Sequence, residues 1–560
     1  MRLLISLLAF TVITALPASL YAAAPPSKAE LAHYAEQLLT ANYTKGGPGA
    51  AVIVARGDEV LFRGARGMAD VEHATSLSAS GLFDIASITK QFAAAGLLKL
   101  AEAGKVSLDD PLSKFVKDYP NGDNITVLEL LNHTSGIKSY TELPVPVGKA
   151  MTTAQLIDSF KSEKPDFAPG TYWAYDNSGY VLVGAVIEVA SGMPWCAYLR
   201  QTLLQPLGLS HTGCGGDPAV IARQAHGYTM SDGKPVPAPL LSALRPYADG
   251  SLVSNVDDLL KWNRALHRGR VLKGDSYRRM ITPVGKAVPE QYGLGLWHTT
   301  LRGHEMIGHS GHISGFSAYL LYLPQSRISV AILQNMDRAP GVADPTQGAR
   351  QLAAFAIGEP YPAVTPVAVD VLALQQAQGA YGTDPPGPRE LSPQGARVLR
   401  VIDGKLTMAR TGDDRAELIP IAAGTFQAGS SFDRLRLERD PAGAVTAVRL
   451  FPWGEGEGLL LTRTSGPPPP AQLSLPRAAL ERLAGPYEAD GLAMRVFLDG
   501  ERLKIEIGGQ PPDATLLAET ANKFFAAEVD ATLEFTPAEG MPQVAILHQG
   551  SDVIEFKRKQ

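Results

Sequence analysis

Three short groups of residues carry side chains that could perform acyl transfer. The first is Ser87-Ile88-Thr89-Lys90. A serine hydroxyl is a poor nucleophile until a base takes its proton. On a helix, positions i and i+3 share a face, so the Lys90 amine reaches the Ser87 hydroxyl. Burial and the positive end of the helix dipole both favour the neutral amine, which can accept that proton. An N-cap serine followed by an exposed lysine is the competing reading. The second group is Tyr175-Asp176-Asn177. A phenol there can serve as base or proton relay, and the Asn177 amide can hold a substrate carbonyl or the lysine. Asp176-Asn177-Ser178-Gly179 is also a strong turn sequence, and both readings can hold together. The third is His309-Ser310-Gly311, just ahead of a strand-like run. Gly311 allows backbone to approach a bound acyl group. A loop turn with a surface histidine is the alternative.

The elements that must position these groups are legible in outline. Residues Ser87 to Glu102 read as a helix, with Ala93, Ala94, Leu97, Leu98 and Ala101 at helical spacing and Gly104 ending it. A second helix runs from about Val181 to Ala190 and stops near Gly192; its apolar run Val181–Ile187 is bounded by Glu188 and reads as buried. Residues 50–55 and 59–62 form a hairpin around Arg56-Gly57-Asp58, and residues 316–322 and 328–333 form two more strands. Strand pairs at both ends with helices between predict an α+β unit whose antiparallel sheet is assembled from both ends.

After about residue 365 the pattern becomes short strands and turns. Gly379-Ala380-Tyr381 is echoed by Gly485-Pro486-Tyr487, and Asp403-Gly404-Lys405-Leu406 by Asp499-Gly500-Glu501-Arg502-Leu503. Leu418, Phe426 and Leu461-Thr462-Arg463 are echoed by Leu516, Phe524 and Phe556-Lys557-Arg558. Two copies of a small closed barrel account for this, since closure removes edge strands. The expected division is a signal peptide over 1–23, a catalytic domain over 24–362, a first barrel over 366–465, a Pro-rich linker over 466–474 and a second barrel over 475–560.

The chain has 560 residues, 45% hydrophobic and 19% charged, with a net charge of −5. That length predicts several domains. No Lys/Arg run marks a nucleic-acid groove, so a nucleic-acid partner is not expected. Met1-Arg2, an apolar run from Leu3 to Leu16 and the small residues Ala22 to Ala24 read as a secretory signal, which predicts a periplasmic or secreted protein. No later segment is apolar enough to span a membrane. Cys196 and Cys214 lie 18 positions apart. After export they could pair, stabilising by ~3 kcal/mol, or stay two separate buried thiols.

The three groups, in this order and spacing, resemble the serine β-lactamase and penicillin-binding family in its class C-like branch. Leu131-Asn132-His133-Thr134-Ser135-Gly136-Ile137, Pro206-Leu207-Gly208-Leu209 and Tyr292-Gly293-Leu294-Gly295 are similar to loops of that branch. The resemblance covers about residues 30–355. It implies a β-lactamase/transpeptidase-like catalytic domain with Ser87 as nucleophile, Lys90 as its partner, Tyr175 as base or relay and Asn177 positioning substrate. His309, Ser310 and Gly311 would form the third motif, and the backbone N–H groups of Ser87 and His312 the oxyanion hole. One departure matters. His309 stands where β-lactamases proper have lysine, and histidine is only partly charged near neutrality. His-x-Gly there is similar to esterases and D-aminopeptidases of the family, and the latter resemble a catalytic domain followed by two lipocalin-like barrels. The expected substrate is therefore a small molecule or short peptide, an ester or a D-residue amide, with β-lactamase or D,D-carboxypeptidase action as the alternative. No metal and no organic cofactor are expected, and the oligomeric state is left open.

Three rivals are weaker. His304-Glu305-Met306-Ile307-Gly308-His309 nearly gives a zinc-protease motif, but the second histidine is one position late for a shared helix face; a loop cluster of His304, His309 and His312 is what remains of it. Gly308-His309-Ser310-Gly311-His312 resembles a nucleophile elbow, yet its closing glycine is a histidine. A binding protein without chemistry would typically have lost one of Ser87, Lys90, Tyr175 and His309.

Overall fold

The computed structural model describes residues 24–143, 151–215, 224–231, 233–239, 247–337, 342–382, 396–410, 415–429, 431–464, 472–489, 491–508, 510–550 and 552–559. Residues 1–23, where a signal segment is expected, and the four prolines Pro467 to Pro470 lie outside the described residues.

The catalytic part is built on a six-stranded antiparallel sheet. Its order is Trp297–Leu301, His304–Ile313, Phe316–Leu323, Ile328–Gln334, Ala50–Arg56, Glu59–Arg66. The expected strand pairs are present and meet at the seam between Ala50–Arg56 and Ile328–Gln334. The strand His304–Ile313 is a correction: its histidines and glycines read as a loop, and the structure makes them a ten-residue strand.

The sheet is apolar on both faces, which is why residues 50–55 show no polar alternation. Ala51, Ile53 and Ala55 face the helical core, and Ala50, Val52 and Val54 face helices Lys28–Asn42 and Pro345–Ala356. Successive strand side chains alternate faces, so one run serves two cores. In the helical core, helix Thr89–Glu102 is buried from Thr89 to Leu98, and helix Ser178–Ser191 is buried from Ser178 to Ile187. Gly192, at φ +72°, caps the latter. Ala86–Ile88 forms a 3-10 turn before helix Thr89–Glu102, so Ser87 sits on the turn and Lys90 on the helix. Cys196 and Cys214 are disulfide-bonded, with Cα atoms 6.1 Å apart, which resolves the two readings of the sequence. Among the described residues no single helix is long and apolar enough to cross a membrane.

Residues Gly379 to Arg463 and Gly485 to Arg558 form two closed eight-stranded antiparallel barrels. The repeated residues make the same latch in each. Tyr381 donates to the Ala377 carbonyl at 2.7 Å and accepts from Arg463 at 2.7 Å; Tyr487 donates to the Leu483 carbonyl at 2.8 Å and accepts from Arg558 at 2.9 Å. Tyrosine from the first strand and arginine from the last thus close each barrel. A Cβ on Gly379 or Gly485 would lie 2.7 Å from that arginine, so both copies keep glycine. The first barrel docks on the catalytic part through Glu455, which accepts from Tyr361 Oη at 2.9 Å and from the Arg302 N–H at 2.8 Å.

Removing the latch should weaken the second barrel. Arg558→Met leaves the Ala484 and Arg482 carbonyls without their donor. A loss of about 1–3 kcal/mol is expected in chemical denaturation; unchanged stability would show that the latch carries no weight.

Candidate active site

The site forms where the turn before helix Thr89–Glu102, the loop before helix Ser178–Ser191 and strand His304–Ile313 converge. Lys90 is fully buried, and its ammonium donates three hydrogen bonds: to Ser87 Oγ at 3.1 Å, Asn177 Oδ1 at 2.8 Å and the Asp249 carbonyl at 2.9 Å. This geometry replaces the reading of an exposed lysine behind a capping serine. Burial lowers Lys90 to about 8, against the opposing pull of Asp249 and Asp176. Near neutral pH Lys90 is therefore mostly protonated, and its neutral fraction, about a tenth at pH 7, lies within reach of Ser87.

Asn177 is held in one orientation. Its backbone N–H donates to Ser139 Oγ at 3.1 Å and its Nδ2 to Thr141 Oγ1 at 3.2 Å, which leaves Oδ1 for Lys90. This amide serves the lysine. Tyr175 is half-buried with its ring 4.9 Å from Lys90 Nζ, and its phenol hydrogen-bonds Ser87. Burial pushes its ionisation well up, and the Ser87 hydrogen bond only partly offsets this. The phenol keeps its proton at rest and fits a relay.

His309 is buried, not a surface histidine. Its Nδ1 lies 2.5 Å from the Ser310 carbonyl and its Nε2 3.1 Å from Tyr292 Oη. A carbonyl can only accept, so Nδ1 carries the proton and Nε2 accepts from Tyr292. Burial, then the nearby Lys90 charge, hold His309 far below the usual histidine range. It is neutral, where the sequence suggested partial charge. His304 pairs instead with Glu359 at 3.0 Å, so the histidine cluster of the metal reading does not assemble.

Gly311 explains how strand and nucleophile meet. A Cβ there would fall 2.1 Å from the Ile85 carbonyl and 3.3 Å from Ala86 Cβ. His312 follows on the same strand, beside the turn that bears Ser87. Ala86 takes φ +44°, a left-handed conformation costly for a residue with a Cβ, directly before Ser87.

Asp249 carries no signal in the sequence, and His133, Tyr292 and Gly295 stand in the family-like loops without an assigned role. Asp249 supplies an acceptor for Lys90. Tyr292 orients His309. His133, at φ +62°, accepts from the Asp176 N–H at 3.2 Å and braces the Tyr175–Asn177 segment. Gly295, at φ +77°, lets the loop after Tyr292 close on Lys90, since a Cβ would lie 2.6 Å from the Lys90 carbonyl.

Gly311→Ala should force the strand away from Ser87 while leaving both hydrophobic cores intact. Turnover is expected to fall roughly 100-fold with little change in melting temperature. Wild-type turnover would mean that this close approach does not position the nucleophile.

Comparison with known proteins agrees with this geometry. The chain is 27% identical over 349 residues to the D-aminopeptidase of Gluconobacter oxydans (strain 621H), covering 60% of this chain and 63% of that protein. It is 26% identical over 300 residues to protein flp of Staphylococcus aureus (strain N315), covering 52% of this chain and 60% of that protein. The chain thus spans less than two thirds of the length of either. The solved D-amino acid amidase of Ochrobactrum anthropi SV3, complexed with L-phenylalanine amide, matches with a TM-score of 0.52 at 25% identity, covering 58% of this chain and 98% of that one. The octameric penicillin-binding protein homologue of Pyrococcus abyssi shares the fold over 94% of this chain and 99% of its own, with a TM-score of 0.52 at 21% identity. Residues 31–354, more than half of the chain, match the Beta-lactamase family model, and the chain belongs to that family.

Proposed function

We propose that the protein is an exported serine hydrolase that acts through an acyl-enzyme on Ser87, on an ester or the amide of a D-amino acid. The observation that carries this reading is the buried Lys90 amine 3.1 Å from Ser87 Oγ. Neutral Lys90 takes the Ser87 proton as Oγ attacks the substrate carbonyl. The developing oxyanion accepts from the backbone N–H groups of Ser87 and His312, where preorganised donors are most effective. The proton passes from Lys90 through the Tyr175 phenol to the leaving group, and water then releases the acyl chain from Ser87. The cleaved bond is the ester or amide C–O or C–N bond, and no redox step is involved.

The substrate class follows from charge. His309 is neutral and its ring nitrogens are taken by Ser310 and Tyr292. The site therefore offers no cation at the position where a lysine would bind a substrate carboxylate. That favours leaving groups without a carboxylate over β-lactams and C-terminal peptides. The relatives named D-aminopeptidase and D-amino acid amidase support a D-configured acyl part. The Cys196–Cys214 disulfide supports export, since such bonds persist in oxidising compartments.

The test is hydrolysis of a short-chain nitrophenyl ester, D-alanine and L-alanine nitroanilides and a cephalosporin, with Ser87→Ala alongside. Turnover of the ester or the D-anilide, and a loss on the order of 10⁶-fold in the variant, are expected. Undiminished turnover by Ser87→Ala would refute the nucleophile; a marked preference for the cephalosporin would refute the charge argument. Because the neutral lysine is the competent base, kcat/KM should rise with pH through about 8. A flat profile between pH 6 and 9 would exclude Lys90 as that base.

A further inference from the structure

Lys90 is packed among more charge than its own task requires. Ser87 lies on its own turn. Tyr175, Asp176 and Asn177 face it from the loop before helix Ser178–Ser191, and Tyr180 from that helix, its ring 5.3 Å from Nζ. His133 and His309 approach from a loop and from the sheet, and both are held neutral, chiefly by burial. Asp249 completes the shell. Two buried carboxyls, Asp176 and Asp249, therefore share one buried ammonium.

The two differ in what they hold. Asp176 accepts from the Gly179 N–H at the start of helix Ser178–Ser191 and faces His133 Nδ1 at 3.4 Å. Asp249 acts on Lys90 by two routes. Its backbone carbonyl accepts from Nζ at 2.9 Å, and its carboxylate adds a charge to the same pocket. The carboxylate also fixes its own backbone: Oδ1 accepts from the Tyr247 N–H at 3.0 Å, and Oδ2 from Tyr140 Oη at 2.9 Å. Tyr140 is itself tied to the second acceptor of Lys90, because its N–H donates to Ser178 Oγ at 2.8 Å, and its neighbours Ser139 and Thr141 hold Asn177. Asp249 is 4% exposed and Tyr140 3%, so water does not screen the arrangement.

We propose that Asp249 is a positioning residue for Lys90: its side chain, clamped by Tyr140, fixes the carbonyl that holds the ammonium, and its negative charge sets how readily Lys90 releases its proton to solvent and becomes the neutral base. The proposal rests on the reading of Lys90 as the base. It has a consequence that a purely structural role lacks. Removing the charge while keeping the shape must make Lys90 easier to deprotonate. A nearby opposite charge in a buried pocket, even without direct contact, shifts such a group by roughly one unit.

The experiment is the pH profile of kcat/KM on a nitrophenyl ester, using the full chain and the variants Asp249→Asn, Asp249→Glu, Tyr140→Phe and Ser87→Ala. For Asp249→Asn the acidic limb is expected to move down by about one pH unit, so that at pH 6 the variant keeps roughly tenfold more of its own plateau than wild type does. Asp249→Glu restores the charge and should return the limb toward its wild-type position. Tyr140→Phe removes a donor from the carboxylate and should move the limb the same way by less. A lowered plateau with an unmoved limb in Asp249→Asn overturns the proposal. If that variant does not fold, Tyr140→Phe decides: a shifted limb supports the proposal and an unmoved limb overturns it. Turnover that survives in Ser87→Ala would instead overturn the Ser87–Lys90 reading itself, and this proposal with it.

Discussion

A buried ammonium needs three acceptors, and much of this fold is arranged to give Lys90 its three. Stripping water from such an ion costs several kcal/mol, which only well-placed partners offset. Ser87 Oγ, Asn177 Oδ1 and the Asp249 carbonyl come from three separate stretches of chain. Helix Thr89–Glu102 must be central for its first turn to lie under the sheet edge. Helix Ser178–Ser191 must begin beside it so that Asn177 faces inward. The segment 247–250 must turn back toward both. The same three bonds that make the lysine tolerable also aim it at the serine, so stability and chemistry depend on one contact.

Convergence of so many elements is a problem of space, and the small residues solve it. Gly311 lets the strand touch the Ile85 carbonyl, and Gly295 lets the loop after Tyr292 touch the Lys90 carbonyl. Ala86 pays for the sharp entry to the nucleophile with a left-handed backbone. Around this contact an aromatic wall of Trp173, Tyr175, Tyr292 and Trp297 keeps the dielectric low and the imidazole of His309 neutral. A neutral third motif and a buried lysine as the local cation are what the proposed preference for uncharged acyl groups rests on.

The sequence exposed the parts whose signal is local. The Ser-x-x-Lys spacing, the apolar helices, the hairpin 50–62 and the doubled Gly-x-Tyr of the barrels all follow from short-range periodicity or repetition. It hid what depends on long-range packing. Strand His304–Ile313 is rich in His and Gly because it is squeezed against the Ser87 turn, and that composition reads as loop. Asp249-Gly250 has the look of an ordinary turn, and it lies 159 residues along the chain from Lys90. The neutrality of His309 is set by burial and by the charge of Lys90, far away in sequence. The pairing of Cys196 with Cys214 required the Cα separation, which spacing alone does not supply.

The central claim is that Ser87 is the atom that becomes acylated. The most direct measurement is peptide-mapping mass spectrometry of the protein after reaction with a fluorophosphonate, which traps the activated serine as a stable adduct. The account predicts one adduct per chain, on the peptide that carries Ser87, formed faster as pH rises toward 8. An adduct on another residue, or an unmodified Ser87 in protein that hydrolyses esters, would contradict it.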